Sequence, residues 1–554
     1  MIMLRKSWML GAAALLFTFL WFALLAHRPL FDPDEGRYAE IPREMLSGGD
    51  WVIPHLNGLV YLEKPPLQYW LTALAFRCFG ETEFAARLCT GLAGFLSLAT
   101  VFFLGRNLWG FDAGVRAVLF TSASTLFVLL GHQLTLDMLL SFCLIAALGC
   151  FLMAQVRRMQ WRGWMLCCWS AMAFAVLAKG LIGVLIPAAT LSAYVIWQRE
   201  WTMLRRLNLR WGLPVFGVIA APWFVLAARA NPQFLRFFFV REHFQRFLTT
   251  IEHRTEPWWF FAPVLVVGIM PWLPQAARAL GSPFADRVPR GEFDAPLMLW
   301  IWCVFVFVFF SFSDSKLIPY ILPVVPALAL LCAGRASGDS RASLLTGSLL
   351  SLAACGGLLA YASGRWASPG TGQLLQLIRP MLFCTCALLA LGALICAICI
   401  LRGRPLAALA AISCAWFLGT GSILAAADTA QTLFSAKDIA LTLRRQAAAF
   451  GPASVPMNAF SEIPIFAVQS YQQSLAFYLQ RFVVLADYRD EFDFGLTEDP
   501  TRGIATLREF ARRWRALDSG FAVMPPSTWD RLSALGVPMH VVARFPDRML
   551  ISRR

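Results

Sequence analysis

Long apolar runs recur from the start of the chain to about residue 427, and nothing else in the sequence restricts the fold so tightly. A helix rises 1.5 Å per residue, so ~20 apolar residues match the hydrocarbon core of a bilayer. Buried helices of a large soluble protein would show a polar face at helical spacing, and these runs are apolar all round. The chain of 554 residues is 58% hydrophobic and only 15% charged, which agrees with a membrane solvent rather than water. The runs predict spans over 8–26, 84–105, 112–130, 134–155, 161–178, 180–197, 209–228, 258–279, 295–312, 317–333, 343–361, 380–400 and 404–427. This odd number, about 13, puts the termini on opposite sides. Arg5 and Lys6 before the first run resemble a signal peptide, but the run is long and no small-residue cleavage site precedes Phe31, so it reads as an uncleaved first span.

The formal charge of +15 would suggest nucleic acid in a soluble protein. Here much of the basic charge sits in short loops on alternate sides. Arg157, Arg158, Arg162, Arg199, Arg205, Arg206, Arg210, Arg402 and Arg404 share one side with Arg5 and Lys6. By the positive-inside rule that side is cytoplasmic. The loops 27–83 and 229–257, and everything after 428, then lie outside. The fourteen cysteines fall mostly within apolar runs and show no paired CxxC spacing, which argues packing rather than metal or disulfides.

The first outer loop predicts a short helix from Pro33 to Leu46, capped by Asp32 or Asp34 and stopped by Gly48-Gly49. Asn57-Gly58 marks a turn. Leu67 to Phe79 and Pro232 to Phe247 read as amphipathic pieces too short to span, lying in the interface. The tail changes character: Phe482–Ala486, Phe521–Met524 and His540–Ala543 read as strands, Thr501–Leu517 and Ser527–Leu535 as helices, hence a small α/β domain. The expected division is a transmembrane domain over 1–427 and an outer α/β domain over 428–554.

Asp32, Asp34, Glu35 and Glu40 crowd one stretch of the first loop, with Arg37 among them. The plain reading is a solvated helix start; the sharper one is a carboxylate that positions or deprotonates an acceptor. The outer ends of other spans add His132, Asp137, Lys179, Asp314 and Lys316. If these ends converge, they make one cavity. Lys64, Lys179, Arg246 and Lys316 fall on the outer face against the general bias of the bases, and phosphates at headgroup level are their natural partners. No P-loop, dinucleotide glycine fingerprint, HExxH or GxSxG occurs, so a nucleotide cofactor is not expected.

The stretches Asp34-Glu35-Gly36-Arg37-Tyr38-Ala39-Glu40-Ile41 and Glu63-Lys64-Pro65-Pro66-Leu67 resemble the GT-C integral-membrane glycosyltransferases that use polyprenyl-phosphate sugars. The nearest branch is the lipid A aminoarabinose transferases, relatives of the protein O-mannosyltransferases. Arg241-Glu242-His243-Phe244-Gln245-Arg246-Phe247, the run from Ser313 to Pro323 and the tail run from Ser470 to Leu479 are similar too. The resemblance implies a mainly α, polytopic GT-C fold with interfacial helices in the outer loops. It implies Asp34, Asp137 and Glu63 as catalytic acids, and Arg37, Lys64, Lys179, Arg246, Lys316 and Tyr320 as donor or acceptor contacts. It further implies a divalent metal, zinc, near Glu63, with His243 as its partner and His253 in reserve.

The implied activity is an inverting transfer of 4-amino-4-deoxy-L-arabinose from undecaprenyl phosphate to a lipid A phosphate. This lipopolysaccharide modification confers resistance to cationic peptides such as polymyxin. It would take place at the outer face of a bacterial inner membrane. Two other readings stand beside it: a related enzyme moving a hexosamine or mannose to lipid A, another lipid or protein, and a lipid-linked flippase. A flippase predicts charge pairs deep within spans, and the sequence shows none.

Overall fold

A computed structural model of the protein describes residues 2–245, 256–281, 292–334, 341–364, 372–450 and 463–553. The chain divides into two compact units. The first comprises Met1–Ala26, Glu63–Gln68 and Arg87–Ala426; the second comprises His27–Leu62, Tyr69–Ala86 and Ala427–Arg554. The loop 27–83, expected as an appendage of the spans, thus contributes most of its length to the same unit as the tail.

The first unit is helical. Among the described residues eight helices are long and apolar enough to cross a membrane, ten if each bent pair is one span. Three further apolar helices, Gly11–Ala23, Ile182–Gln198 and Ile318–Gly334, are shorter. The thirteen expected spans are therefore not reached by length, although a helix occupies each predicted range. Span 112–130 is broken into Phe111–Ser122 and Thr125–Gly131, bent by 72°. The hydroxyls of Ser122 and Ser124 bond back to the carbonyls of Leu119 and Phe120 near this break, where ladder bonds are interrupted. Span 258–279 is likewise split into Phe261–Gly268 and Met270–Gly281, bent by 86°, with Pro271, which has no N–H to donate, at the start of the second piece. Helix Leu136–Val156 packs along Trp161–Lys179, and Gly372–Leu401 along Pro405–Ala426. Small residues bring the latter pair together: a Cβ added at Gly392 would fall 2.3 Å from that of Ala415.

The second unit is built on a six-stranded sheet. With β1 (His55–Leu56) and β2 (Leu59–Val60) forming a separate hairpin, the sheet strands are β3 (Ile465–Val468), β4 (Val484–Ala486), β5 (Gly503–Ile504), β6 (Phe521–Met524), β7 (His540–Arg544) and β8 (Met549–Ser552). Their order is β5-β4-β3-β6-β8-β7, parallel from β5 to β6 and antiparallel from β6 to β7. Every residue of β3 and β6 is buried, as parallel strands covered on both faces require. Phe466, Phe510, Trp514, Met524, Leu532 and Ile551 fill one side, with helices Leu507–Ala516 and Pro526–Ala534 closing it. The predicted tail helix from Thr501 is shorter because Gly503–Ile504 pairs as β5.

The first-loop helix runs Asp34–Gly48 and ends on Gly49 in the left-handed region, φ 74°. Its expected cap is absent: Pro33 holds the N-cap position with no side-chain cap. Asp32 instead accepts from the Ser474 N–H at 2.6 Å, and Glu35 accepts from the Phe31 N–H at 3.0 Å. Helix Leu67–Phe79 matches its predicted limits. Asn57-Gly58 makes the β1–β2 turn, whose two N–H groups donate to the Glu44 carboxylate at 2.5 and 2.9 Å.

Candidate active site

The first unit encloses a cavity of about 670 Å³, within the usual size range for small-molecule sites. Its walls are mostly apolar, among them Leu140, Leu181, Ile182, Leu185, Phe309 and Pro323. Its polar groups are Glu63, Lys64, Asp137, Lys179, Glu242, Ser313, Ser315 and Tyr320. Asp137 stands in the first turn of Leu136–Val156 and Lys179 is the last residue of Trp161–Lys179. An acid at a helix N-terminus and a base at a helix C-terminus each oppose the local dipole. These two helices pack side by side, so the two ends meet and the side chains form an ion pair. The Lys179 ammonium also lies 4.5 Å from the centre of the Tyr320 ring. Lys64 Nζ donates to Glu242 Oε2 at 3.0 Å and to the Glu63 carbonyl at 3.1 Å. The charge pairs that the sequence did not reveal are therefore present, at span ends rather than in mid-span.

Of the residues expected to make the site, Glu63, Lys64, Asp137, Lys179 and Tyr320 share this cavity. Lys316 is buried beside it: its ammonium donates to the carbonyls of Ser313 at 2.5 Å and Glu256 at 3.0 Å, while Ser313 and Ser315 reach the wall. His132 goes elsewhere. Fully buried, it bonds the carbonyls of Val128 and Trp21 and packs on the Trp21 ring, a core role. Arg246, His253 and the side chain of His243 lie outside the described residues. Glu242 was missed as a site residue, though it stands in a quoted motif. It lies on a π-helical stretch, Arg236–Gln245, a geometry often found at functional positions.

Asp34 and Arg37 belong to the second unit. There Arg37 is ion-paired with Glu491 and lies 3.7 Å from Asp34. The neighbouring acids are spent on structure. Glu35 holds Arg28 in a bidentate pair at 2.5 and 3.0 Å, Glu40 holds Arg43 at 2.6 and 2.7 Å, and Asp32 faces Arg548 at 3.7 Å. Asp34, 40% exposed, is the accessible member of the group. Burial pushes the Asp32 carboxyl up to about 6 despite Arg548 and the Ser474 N–H, and it raises Glu44 and Glu491 as well.

Among the described residues no group of three or more His, Cys, Asp and Glu is arranged to hold a metal ion. Glu63 and Glu242 are the carboxylates near the expected metal position, and Glu242 already pairs with Lys64. Zinc takes at least three protein ligands; the described residues offer Glu63 and Glu242, while the His243 side chain and His253 lie outside them, and no step is routed through the ion.

A helical unit whose span ends converge on an ion-paired cavity, joined in one chain to an α/β unit, defines a polytopic membrane protein of the GT-C fold. The family model described as dolichyl-phosphate-mannose-protein mannosyltransferase matches residues 63–225, and that of the aminoarabinose transferase C-terminal domain matches 453–553. The crystal structure of ArnT from Cupriavidus metallidurans bound to undecaprenyl phosphate is similar with a TM-score of 0.88 at 32% identity, covering 99% of this chain and 98% of that one. The chain belongs to the ArnT family. Curated relatives named undecaprenyl phosphate-alpha-4-amino-4-deoxy-L-arabinose arabinosyl transferase include those of Edwardsiella ictaluri, 36% identical over 346 residues, and Aeromonas hydrophila, 34% over 331. The matches cover 61% and 59% of this chain and span 62% and 59% of the relatives' own length.

Proposed function

We propose that the protein transfers 4-amino-4-deoxy-L-arabinose from undecaprenyl phosphate to a phosphate of lipid A. The observation that carries this reading is the meeting of Lys64, Lys179, Asp137, Glu63 and Tyr320 in one apolar-walled cavity, in a chain that resembles a structure holding undecaprenyl phosphate. An apolar wall suits a prenyl chain, and lysines at its polar end suit the phosphate.

In this reading an oxygen of the acceptor phosphate attacks C1 of the sugar. The bond from C1 to the donor phosphate oxygen breaks on the opposite face, and its electron pair leaves with undecaprenyl phosphate. The attacking oxygen is already anionic, so the protein need not remove a proton. Lys64 and Lys179 neutralise the departing charge. Asp137 and Glu63 flank the lysines and stabilise positive charge on the sugar ring. Fixing two lipids at one depth supplies much of the rate through orientation. Asp34, Arg37, Arg246 and Lys316 enter on the resemblance: Asp34 as the acid that orients the acceptor, the bases as phosphate contacts. No step passes through a metal. Zinc near Glu63 and His243 is a separate proposal, tested by metal analysis of the purified protein.

The same reading places the chain in the bacterial inner membrane, with the N-terminus cytoplasmic and the tail domain periplasmic, on the strength of the arginine distribution. Purified protein in liposomes, given radiolabelled donor and lipid A, tests the activity. Label should move to lipid A in the wild type and fall at least tenfold in Asp34→Asn. Full activity of that variant removes Asp34 from the mechanism.

A further inference from the structure

In the second unit the chain leaves β3 for β4 and β5 on one side and returns to β6 on the other, which gives the order β5-β4-β3-β6. These strands run parallel, so they end at one edge, and the connections part between β3 and β6. In open α/β sheets ligands bind in the crevice outside such a switch point. Two of the strands are followed directly by non-glycine residues in the left-handed region: Gln469 after β3, φ 56°, and Asp487 after β4, φ 53°. Such backbone is costly and recurs at ligand sites. Here the two side chains meet, the Gln469 amide donating to Asp487 Oδ2. From the helix after β6, the Thr528 hydroxyl donates to Gln469 Oε1 at 2.9 Å, and the Arg531 guanidinium donates to the same oxygen. Gln469 thus ties the two walls of the crevice together, with an acid on one side and a base on the other. Gln469 and Asp487 are half-buried and Arg531 is exposed, so the row is open to solvent.

Two further polar groups at this edge are incomplete. Gln472, 4% exposed, reaches back to donate to the Ser470 hydroxyl at 3.3 Å, and its own Oε1 is buried with no hydrogen-bond partner among the described residues. Arg548 comes from the turn before β8, whose Met549 pairs with Met524, the last residue of β6. Its buried Nη1 has no hydrogen-bond partner among the described residues either. Asp32 Oδ2, at 3.7 Å, lies beyond bonding distance. Buried polar groups of this kind are completed by a ligand or by water. The loop after β3 reads Gln469-Ser470-Tyr471-Gln472, without the glycines that let a pyrophosphate approach. What the edge keeps of a nucleotide site is the acid about 20 residues further on, which takes a sugar hydroxyl. We infer that this crevice binds a saccharide, with Asp487 accepting from a pair of neighbouring hydroxyls and Arg531 donating to a sugar oxygen. The site uses no residue of the cavity wall and does not rest on the proposed transfer.

Calorimetric titration of the full-length protein in nanodiscs with the deacylated saccharide of lipopolysaccharide tests this. The probe carries no acyl chains, so it does not enter the bilayer. A second sample, oxidised with periodate and reduced with borohydride, has lost its vicinal diols and kept its phosphates. The wild type should hold the intact saccharide at least tenfold more tightly than the oxidised one. Asp487→Asn and Arg531→Met should each weaken binding of the intact saccharide at least tenfold. Arg531 is exposed, so its variant stays readable if Asp487→Asn misfolds. A parallel titration with the undecaprenyl-phosphate aminopentose identifies the source of the sugar. Weakening confined to the saccharide marks an acceptor glycan, weakening of the donor marks the donor's own diol, and either supports the site. Variants that hold both probes as tightly as the wild type overturn it. So does an oxidised saccharide that binds as well as the intact one, since the contact would then be to phosphate. Neither result bears on whether the protein transfers an aminopentose.

Discussion

Lys179 meets three demands at once: it ends a helix, pairs with Asp137 and lies over Tyr320. Replacing it by Met strands Asp137 in a largely buried position, at a cost of roughly 3 kcal/mol, and, under the proposed mechanism, should lower the transfer rate about a hundredfold. Thermal unfolding and the transfer assay should both register the change. Asp32 makes a different prediction. Its carboxyl is raised from 3.8 to about 6 in the folded protein, so between those values the native state binds more protons than the unfolded one. Stability should therefore rise as pH falls from 7 towards 4, with Asp32 contributing up to roughly 3 kcal/mol. Glu44 and Glu491, also raised by burial, share this sign. Asp32→Asn keeps an acceptor for the Ser474 N–H and should flatten the profile between about pH 4 and 6, read as unfolding temperature against pH. Lys64 and Lys179 could be read from sequence because, in the expected topology, they oppose the positive-inside bias. Glu242 could not, since an acid between Arg241 and His243 looks like an ordinary surface charge until burial is known.

Two stretches that carry the family resemblance, 34–41 and 470–479, meet as elements of the second unit. Helix Asp34–Gly48 lies so close to helix Gln473–Leu479 that a Cβ at Gly36 would fall 2.2 Å from the Ser474 backbone nitrogen. Gly36→Ala must push backbone apart, and it should destabilise by about 1–3 kcal/mol and lower transfer, measured by thermal unfolding and the labelled-donor assay. Helix Leu67–Phe79 was legible to its ends, bracketed by Pro65-Pro66 and Gly80. β3 was not legible: a fully buried parallel strand is a short apolar run without alternation, and sequence cannot tell it from buried helix. The two broken spans were missed for a similar reason. Hydropathy counts apolar residues but is blind to a bend at Ser122–Ser124 or Pro271.

For the whole molecule, the apolar runs sufficed to assign the membrane class and locate the helices. The grouping of 27–62 and 69–86 with the tail was not visible, because it depends on contacts hundreds of residues apart, such as Asn57 with Val483 and Asp32 with Ser474. The arginine distribution predicts the sidedness. Alkaline phosphatase fused after Arg554 should be active in intact cells, and inactivity there would reverse the topology. The central claim, that this cavity serves the transfer of an aminopentose to lipid A, is tested most directly by mass spectrometry of lipid A from a deletion strain carrying either the wild-type protein or Lys179→Met. The account predicts a pentosamine increment with the wild type and its loss with the variant. A hexosamine increment, no increment with the wild type, or an undiminished one with the variant would contradict it.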